Sequence, residues 1–181
     1  MTKTGNPWSV PVAVEDIPDT GLHIEIEAPA AARAAVAELA ALRELPRLSA
    51  VFDLTRQGAG VHVAGQVSAR VGQTCVVTLE PIESDIEETV DLKFAPVREG
   101  GSDPEPKAAR QRARSDDEPP EVLIDGMLDL GALATEFLIL GIDPYPRKAG
   151  AQFAPPKAAD DGEHPFAALE ALKKRLGGGQ P

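Results

Sequence analysis

Thirteen consecutive residues, Ile82 to Phe94 (IESDIEETVDLKF), alternate with a period of two. Ile82, Ser84, Ile86, Glu88, Val90, Leu92 and Phe94 fall on one side, and Glu83, Asp85, Glu87 and Asp91 fall on the other. Successive side chains of a strand point to opposite faces, so this pattern dictates one long, half-buried strand. Glu88 interrupts the apolar side, and a bulge or bend is expected there.

The rest of the chain supplies neighbours for that strand. Val61 to Val71 places Val61, Val63, Gly65, Val67, Ala69 and Val71 on one face, and a Gly-Ala-Gly turn joins it to Leu48–Gln57. Trp8–Val14 and Leu22–Glu27 also alternate, with Pro18-Asp19-Thr20-Gly21 as turn chemistry between them. Glu121–Ile124 is a candidate last strand. Between Val61–Val71 and the thirteen-residue strand, Gln73 to Ile82 (QTCVVTLEPI) reads as an extended crossing or a tight hairpin closed by Pro81. Two helices are expected. Pro29–Leu45 is alanine-rich, carries Ala32, Val36, Leu39 and Leu42 along one stripe, and is framed by Pro29 and Pro46. Leu130–Leu140 is apolar almost all round, is capped by Asp129, and stops at Gly141 and Pro144.

These elements predict an α+β fold: an antiparallel curved sheet or partial barrel covered by two helices, in a single domain over residues 1–146. Aromatics make up only 4% of the chain, so the core is built from Val, Leu, Ile and Ala. Residues 99–120 (EGGSDPEPKAARQRARSDDEPP) hold no apolar side chain larger than alanine, and a disordered acidic and basic insert is expected there. Residues 147–181 read as a flexible tail with a short amphipathic helix over 165–176, on which Phe166, Leu169, Leu172 and Leu176 fall at helical spacing.

Charge and cysteine usage narrow the partners. The formal net charge is −11. A body this acidic repels phosphate backbones, whose binding comes chiefly from Lys and Arg displacing counterions, and it favours a basic protein partner. The basic residues that could add contacts, including contacts to RNA, are Lys107, Arg110, Arg112 and Arg114 in the insert and Lys173, Lys174 and Arg175 in the tail. Phe166 and Leu169 are the apolar anchors of a tail helix that docks in a partner or on its own domain. No run of eighteen apolar residues occurs, the N-terminus lacks a hydrophobic signal core, and one cysteine makes no internal disulfide; a reducing cytoplasm is expected.

Candidate chemistry is sparse. A nucleophilic Cys75 needs a nearby base, and His23, His62 and His164 lie far from it in sequence; the plainer reading is a small buried hydrophobe. A structural metal site needs about four Cys or His ligands at a recognisable spacing, which this chain lacks. Glu83, Asp85, Glu87 and Asp91 could supply an acid and a base, but on an alternating strand they read as a solvated face. No phosphate-binding loop or acyl-transfer motif is present. No enzyme activity, cofactor, metal or small-molecule substrate is expected.

Several pieces together resemble the YceD family, described as large ribosomal RNA subunit accumulation proteins. They are Cys75 to Pro81 (CVVTLEP, with Cys75, Leu79 and Pro81), Phe94-Ala95-Pro96, Ile124 to Leu130 (IDGMLDL, with Asp125, Gly126 and Asp129), Glu136, and Pro144 to Arg147 (PYPR). The closing PFAALEALKK is similar to the tail of alphaproteobacterial members. Many members carry CxRC where this chain has Val77 and Thr78 in the last two positions, which argues against a metal or redox role for the turn. The resemblance implies support of 23S rRNA accumulation and ribosome biogenesis, with a ribosome assembly factor, a ribosomal protein or pre-rRNA as partner, and no known catalytic residues. The alternative from another class is an rRNA-processing nuclease that uses a carboxylate cluster.

Overall fold

The computed structural model describes residues 6–96, 120–153, 169 and 173. The chain divides into two units, Met1–Ala149 and Gly150–Pro181. In the first, the elements run β1 (Pro11–Ala13), a 3-10 turn (Val14–Asp16), β2 (Leu22–Glu27), α1 (Ala30–Leu39), β3 (Glu44–Gln57), β4 (Gly60–Thr74), β5 (Pro81–Pro96), β6 (Glu121–Leu123), β7 (Met127–Asp129) and α2 (Leu130–Gly141).

The expected α+β fold is present. β2, β3, β4, β5 and β6 form one curved, unclosed sheet in that order, antiparallel except for the last pair. β4 and β5 pair in unbroken register from Val61↔Phe94 to Thr74↔Pro81. β3 pairs with β4, and β2 with β3 from Leu22↔Leu54 to Glu27↔Ser49. β5 and β6 run parallel through Phe94↔Glu121 to Pro96↔Leu123, a pairing that demands a long connection, here the insert. β1 and β7 form a separate two-stranded ribbon, a pairing across more than a hundred residues that the sequence did not announce.

Parity along the strands sets the core. Leu48, Ala50, Phe52 and Leu54 of β3 lie on the same side as Val61, Val63, Val67, Ala69 and Val71 of β4, and all are buried. Ile86 and Val90 of β5 complete that side, which packs against Val36 of α1 and Leu130, Ala134 and Leu138 of α2 in one cluster. Thr135, buried within α2, donates its hydroxyl to the Gly131 carbonyl at 2.8 Å, so its polarity is satisfied inside the helix.

Four expectations need correction. The first helix ends at Leu39, not Leu45: Ala41 takes φ 53°, and the Arg43 N–H already bonds the Gly72 carbonyl. Leu39 is accordingly 54% exposed, and Ala37 joins Ala32 and Val36 on the buried stripe. Pro46 sits inside β3 instead of ending a helix, and the register shifts between Glu44 and Arg47, where a residue without an N–H leaves a rung unmade. Glu88 causes no bulge, because the β4–β5 register passes it unbroken. Its side chain lies against the end of α2, where a Cβ added at Gly141 would meet Glu88 and Ile86. Only Pro11–Ala13 of the expected Trp8–Val14 strand is extended and paired, and Val14 opens a 3-10 turn. Residues 97–119, which include nearly all of the insert, lie outside the described residues.

Gly65 faces the core opposite Phe52, whose ring lies where a β-carbon would stand: an added Cβ would approach Phe52 Cδ1 to 2.8 Å and press on the Val51 carbonyl. Overpacking of this kind costs roughly 1–3 kcal/mol. Gly65→Ala is therefore expected to lower the unfolding free energy by that amount, seen as a lower urea midpoint at an unchanged m-value in equilibrium unfolding.

Candidate functional site

The motif residues of the C-terminal half are structural joints. Asp125 (φ 51°) and Gly126 (φ 69°) both take the left-handed conformation. They make the two-residue turn that a type I′ hairpin requires, with the Met127 N–H on the Ile124 carbonyl at 3.0 Å. The Gly126 carbonyl then accepts the Val14 N–H at 2.9 Å, so the turn is fixed to the N-terminal segment. Asp129 caps α2 as expected, accepting the Ala132 N–H at 3.0 Å. It also accepts the Val10 N–H at 2.9 Å and the Ser9 hydroxyl at 2.6 Å. One carboxylate therefore joins two segments 119 residues apart. Burial pushes its carboxyl up, but the Ser9 hydroxyl and the N–H groups of Ala132, Val10 and Gly131 outweigh that and hold it below the usual range.

The stretch around Cys75 is the tip of the β4–β5 hairpin. The Cys75 N–H bonds the Glu80 carbonyl and the Leu79 N–H bonds the Cys75 carbonyl, both at 2.9 Å. Leu79 takes φ 59° and is 75% exposed, and Pro81 starts β5 opposite Thr74. The segment after α2 folds back onto this tip. Gln73 Nε2 donates to the Asp143 carbonyl at 2.9 Å, the Val76 N–H to the Pro146 carbonyl at 2.9 Å, and Lys148 Nζ to Glu80 at 3.1 Å. Pro144 to Arg147 thus sits beside Cys75 to Pro81, which brings together two of the pieces that carry the resemblance.

Cys75 is buried, as expected, but it is not inert packing. Its sulfur accepts the N–H of Lys148 at 3.3 Å and of Thr78 at 3.4 Å. These donors, Lys148 first and Thr78 next, favour the thiolate and lower the thiol to about 6. Burial opposes them and is the smaller effect. Sequence reasoning missed Lys148, which lies 73 residues from Cys75; no local signal connects them. His23 and His62 bond Asp53 (2.7 Å) and Asp91 (2.9 Å) instead of Cys75. Asp53 raises His23 above its ordinary value.

Those two pairs belong to the open face of the sheet. Glu25 and Glu27 of β2 and Asp53 of β3 form one acidic flank, and Glu83, Asp85, Glu87 and Asp91 of β5 form the other. Between them the register lines up Ser49 with Ser68 and Val51 with Gln66, uncharged pairs bounded by Arg47 opposite Arg70 at one end and Thr55 opposite His62 at the other. Arg70 grips Glu83 through Nε (2.9 Å) and Nη2 (2.7 Å). Among the described residues, no group of three or more His, Cys, Asp and Glu side chains is arranged to hold a metal ion, and no helix is long and apolar enough to cross a membrane. Of the expected contact residues, Lys107, Arg110, Arg112, Arg114, Phe166, Lys174 and Arg175 lie outside the described residues. Leu169 and Lys173 are helical and exposed.

Two measurements check these joints. Asp129→Ala removes a helix cap, a change that costs about 1–2 kcal/mol, and it also leaves the Val10 N–H unpaired. Because the folded carboxyl is depressed, its contribution is complete above the unfolded value near pH 4 and fades as pH falls through the folded one. The stability gap between wild type and Asp129→Asn, read by urea unfolding, is expected to narrow from pH 7 to pH 3. For Cys75, thiolate absorbance at 240 nm is expected to titrate near 6 in the folded protein and near the usual 8.5 or so in urea. The depressed thiol stabilises the fold above the unfolded value, and that contribution is lost as pH drops through about 6.

Comparison with known proteins returns one family. Residues 63–173 match the family model described as large ribosomal RNA subunit accumulation protein YceD. No curated protein and no solved structure matches. The match spans the second half of the sheet, the Cys75 turn, the Asp125-Gly126 hairpin and the capped helix, and by it the chain belongs to the YceD family, whose name points to a role in large-subunit ribosomal RNA accumulation.

Proposed function

We propose that the protein supports 23S rRNA accumulation without catalysing a reaction, as a cytoplasmic factor that holds a basic ribosomal protein or assembly factor on the open face of its sheet. The observation that carries this reading is the distribution of charge on that face. Two acidic flanks, Glu25, Glu27 and Asp53 on one side and Glu83, Asp85, Glu87 and Asp91 on the other, border a lane that includes Ser49, Ser68, Val51 and Gln66, and these seven acids outnumber Arg47, Arg70 and Lys93 on the same face. Several of these acids are solvent-exposed at alternate strand positions, so they act together as a field that steers cationic partners and repels phosphate. Such a body suits a protein whose partner is itself bound for RNA, because it shields that partner's cations until they are delivered. The basic residues of the insert and tail would add contacts, including contacts to pre-rRNA.

The test uses a tagged copy expressed in cells that lack the native protein. Wild type is expected to recover basic ribosomal proteins or assembly factors. The quadruple variant Glu25→Gln, Glu27→Gln, Asp85→Asn, Glu87→Gln, with an unchanged circular dichroism spectrum, is expected to recover several-fold less. Equal recovery by both would remove the acidic face from the function. Mg²⁺-dependent cleavage of rRNA by the purified protein would replace the non-catalytic reading with the nuclease alternative.

A further inference from the structure

We propose that the outer edge of β5 is a docking edge, on which an extended lysine- or arginine-rich segment of the partner protein pairs with residues 82–92 as an added strand. This rests on the basic-partner reading above and specifies how the partner is held. β5 pairs with β4 along one side over its length, whereas on its other side only Phe94, Ala95 and Pro96 pair with β6 among the described residues. From Ile82 to Leu92, every second residue therefore directs its backbone N–H and C=O away from β4, toward no described strand. A run of that length without a partner strand among the described residues offers a template for another chain.

The side chains choose which chain. A second copy of β5 laid on this edge would set Glu83, Asp85, Glu87 and Asp91 beside the same acids, and like charges on neighbouring strands repel. The edge thus discourages self-pairing while its backbone stays available. A cationic strand removes the conflict. Alternate residues of an extended segment repeat at about 6.8 Å, the repeat of the β5 carboxylates, so Lys or Arg at every second position meets one acid after another. Arg70 holds Glu83 and His62 holds Asp91. Asp85 lies opposite Arg70 and is attracted to it, while Glu87, between the two pairs, carries no hydrogen-bonded cation among the described residues and is the acid a partner would meet first.

The probe is a fluorescent ten-residue peptide of alternating Lys and Thr, with two further versions N-methylated on the odd or on the even amides. Binding to the full-length protein is read by anisotropy at low salt. The parent peptide is expected to bind, and one methylated version to lose about tenfold or more, because its edge-facing N–H groups are gone, while the other binds like the parent. The variant Asp85→Asn, Glu87→Gln is expected to weaken the parent about fivefold, and the parent to slow amide exchange within residues 82–92. If neutralisation weakens binding but both methylated versions match the parent, the acidic face binds cations without strand addition, and this inference falls while the basic-partner reading stands. Failure of the parent to bind although the pull-down recovers basic proteins, or exchange protection confined to other strands, also overturns it.

Discussion

The unbroken ladder between β4 and β5 is the constraint on which the rest of the structure depends. Fourteen residue pairs, Val61↔Phe94 to Thr74↔Pro81, keep one register. A slip of one residue would turn one strand's side chains to the opposite face relative to its partner, sending either Val63, Val67 and Val71 into solvent or Glu83, Asp85 and Glu87 into the core. Burial of the valine row therefore fixes the position of the carboxylate row. The core and the acidic face are two consequences of one parity. The same ladder delivers Cys75 and Leu79 to the hairpin tip and leaves the far side of β5 from Ile82 to Leu92 without a partner strand among the described residues.

Two contacts close the fold around that ladder, and both use residues of the family motifs. Asp129 binds the start of α2 and the N-terminal segment with one carboxylate, so the helix that covers β4 and β5 is fixed to β1. At the other end, the chain leaving α2 returns to the hairpin tip, where Lys148 and Pro146 bond Cys75 and Val76. Asp129, Cys75 and Pro146 thus position backbone at both ends of the fold. Thr78, in the slot where many relatives have a second cysteine, gives its N–H to the Cys75 sulfur. The turn keeps its shape through N–H donors to a single sulfur.

The field of an acidic, exposed face depends on spacing more than on any one residue. Surface pairs such as Arg70–Glu83 contribute little individually. A row of carboxylates at strand spacing acts collectively, and it sits beside backbone groups that can fix the orientation of whatever it attracts. In the proposed reading, charge attracts the partner and selects its sign while the strand edge holds it in one direction. The family's name points to a role in large-subunit ribosomal RNA accumulation.

The sequence by itself determined the features that arise from local periodicity and local backbone preference. Alternation over Ile82 to Phe94 and Val61 to Val71 named the two central strands and their buried sides, Leu22–Glu27 was placed to the residue, and Asp129 was legible as a cap because a helix start needs an acceptor for its free N–H groups. It could not determine contacts that need two distant segments to meet. The end of α1 at Leu39 follows from the Arg43 N–H finding Gly72, the unbroken strand at Glu88 from cover by the end of α2, and the lowered thiol of Cys75 from Lys148. In each case the deciding partner lies far along the chain, and only the tertiary fold, set by burial of the sheet's apolar face, brings it within hydrogen-bonding or van der Waals reach.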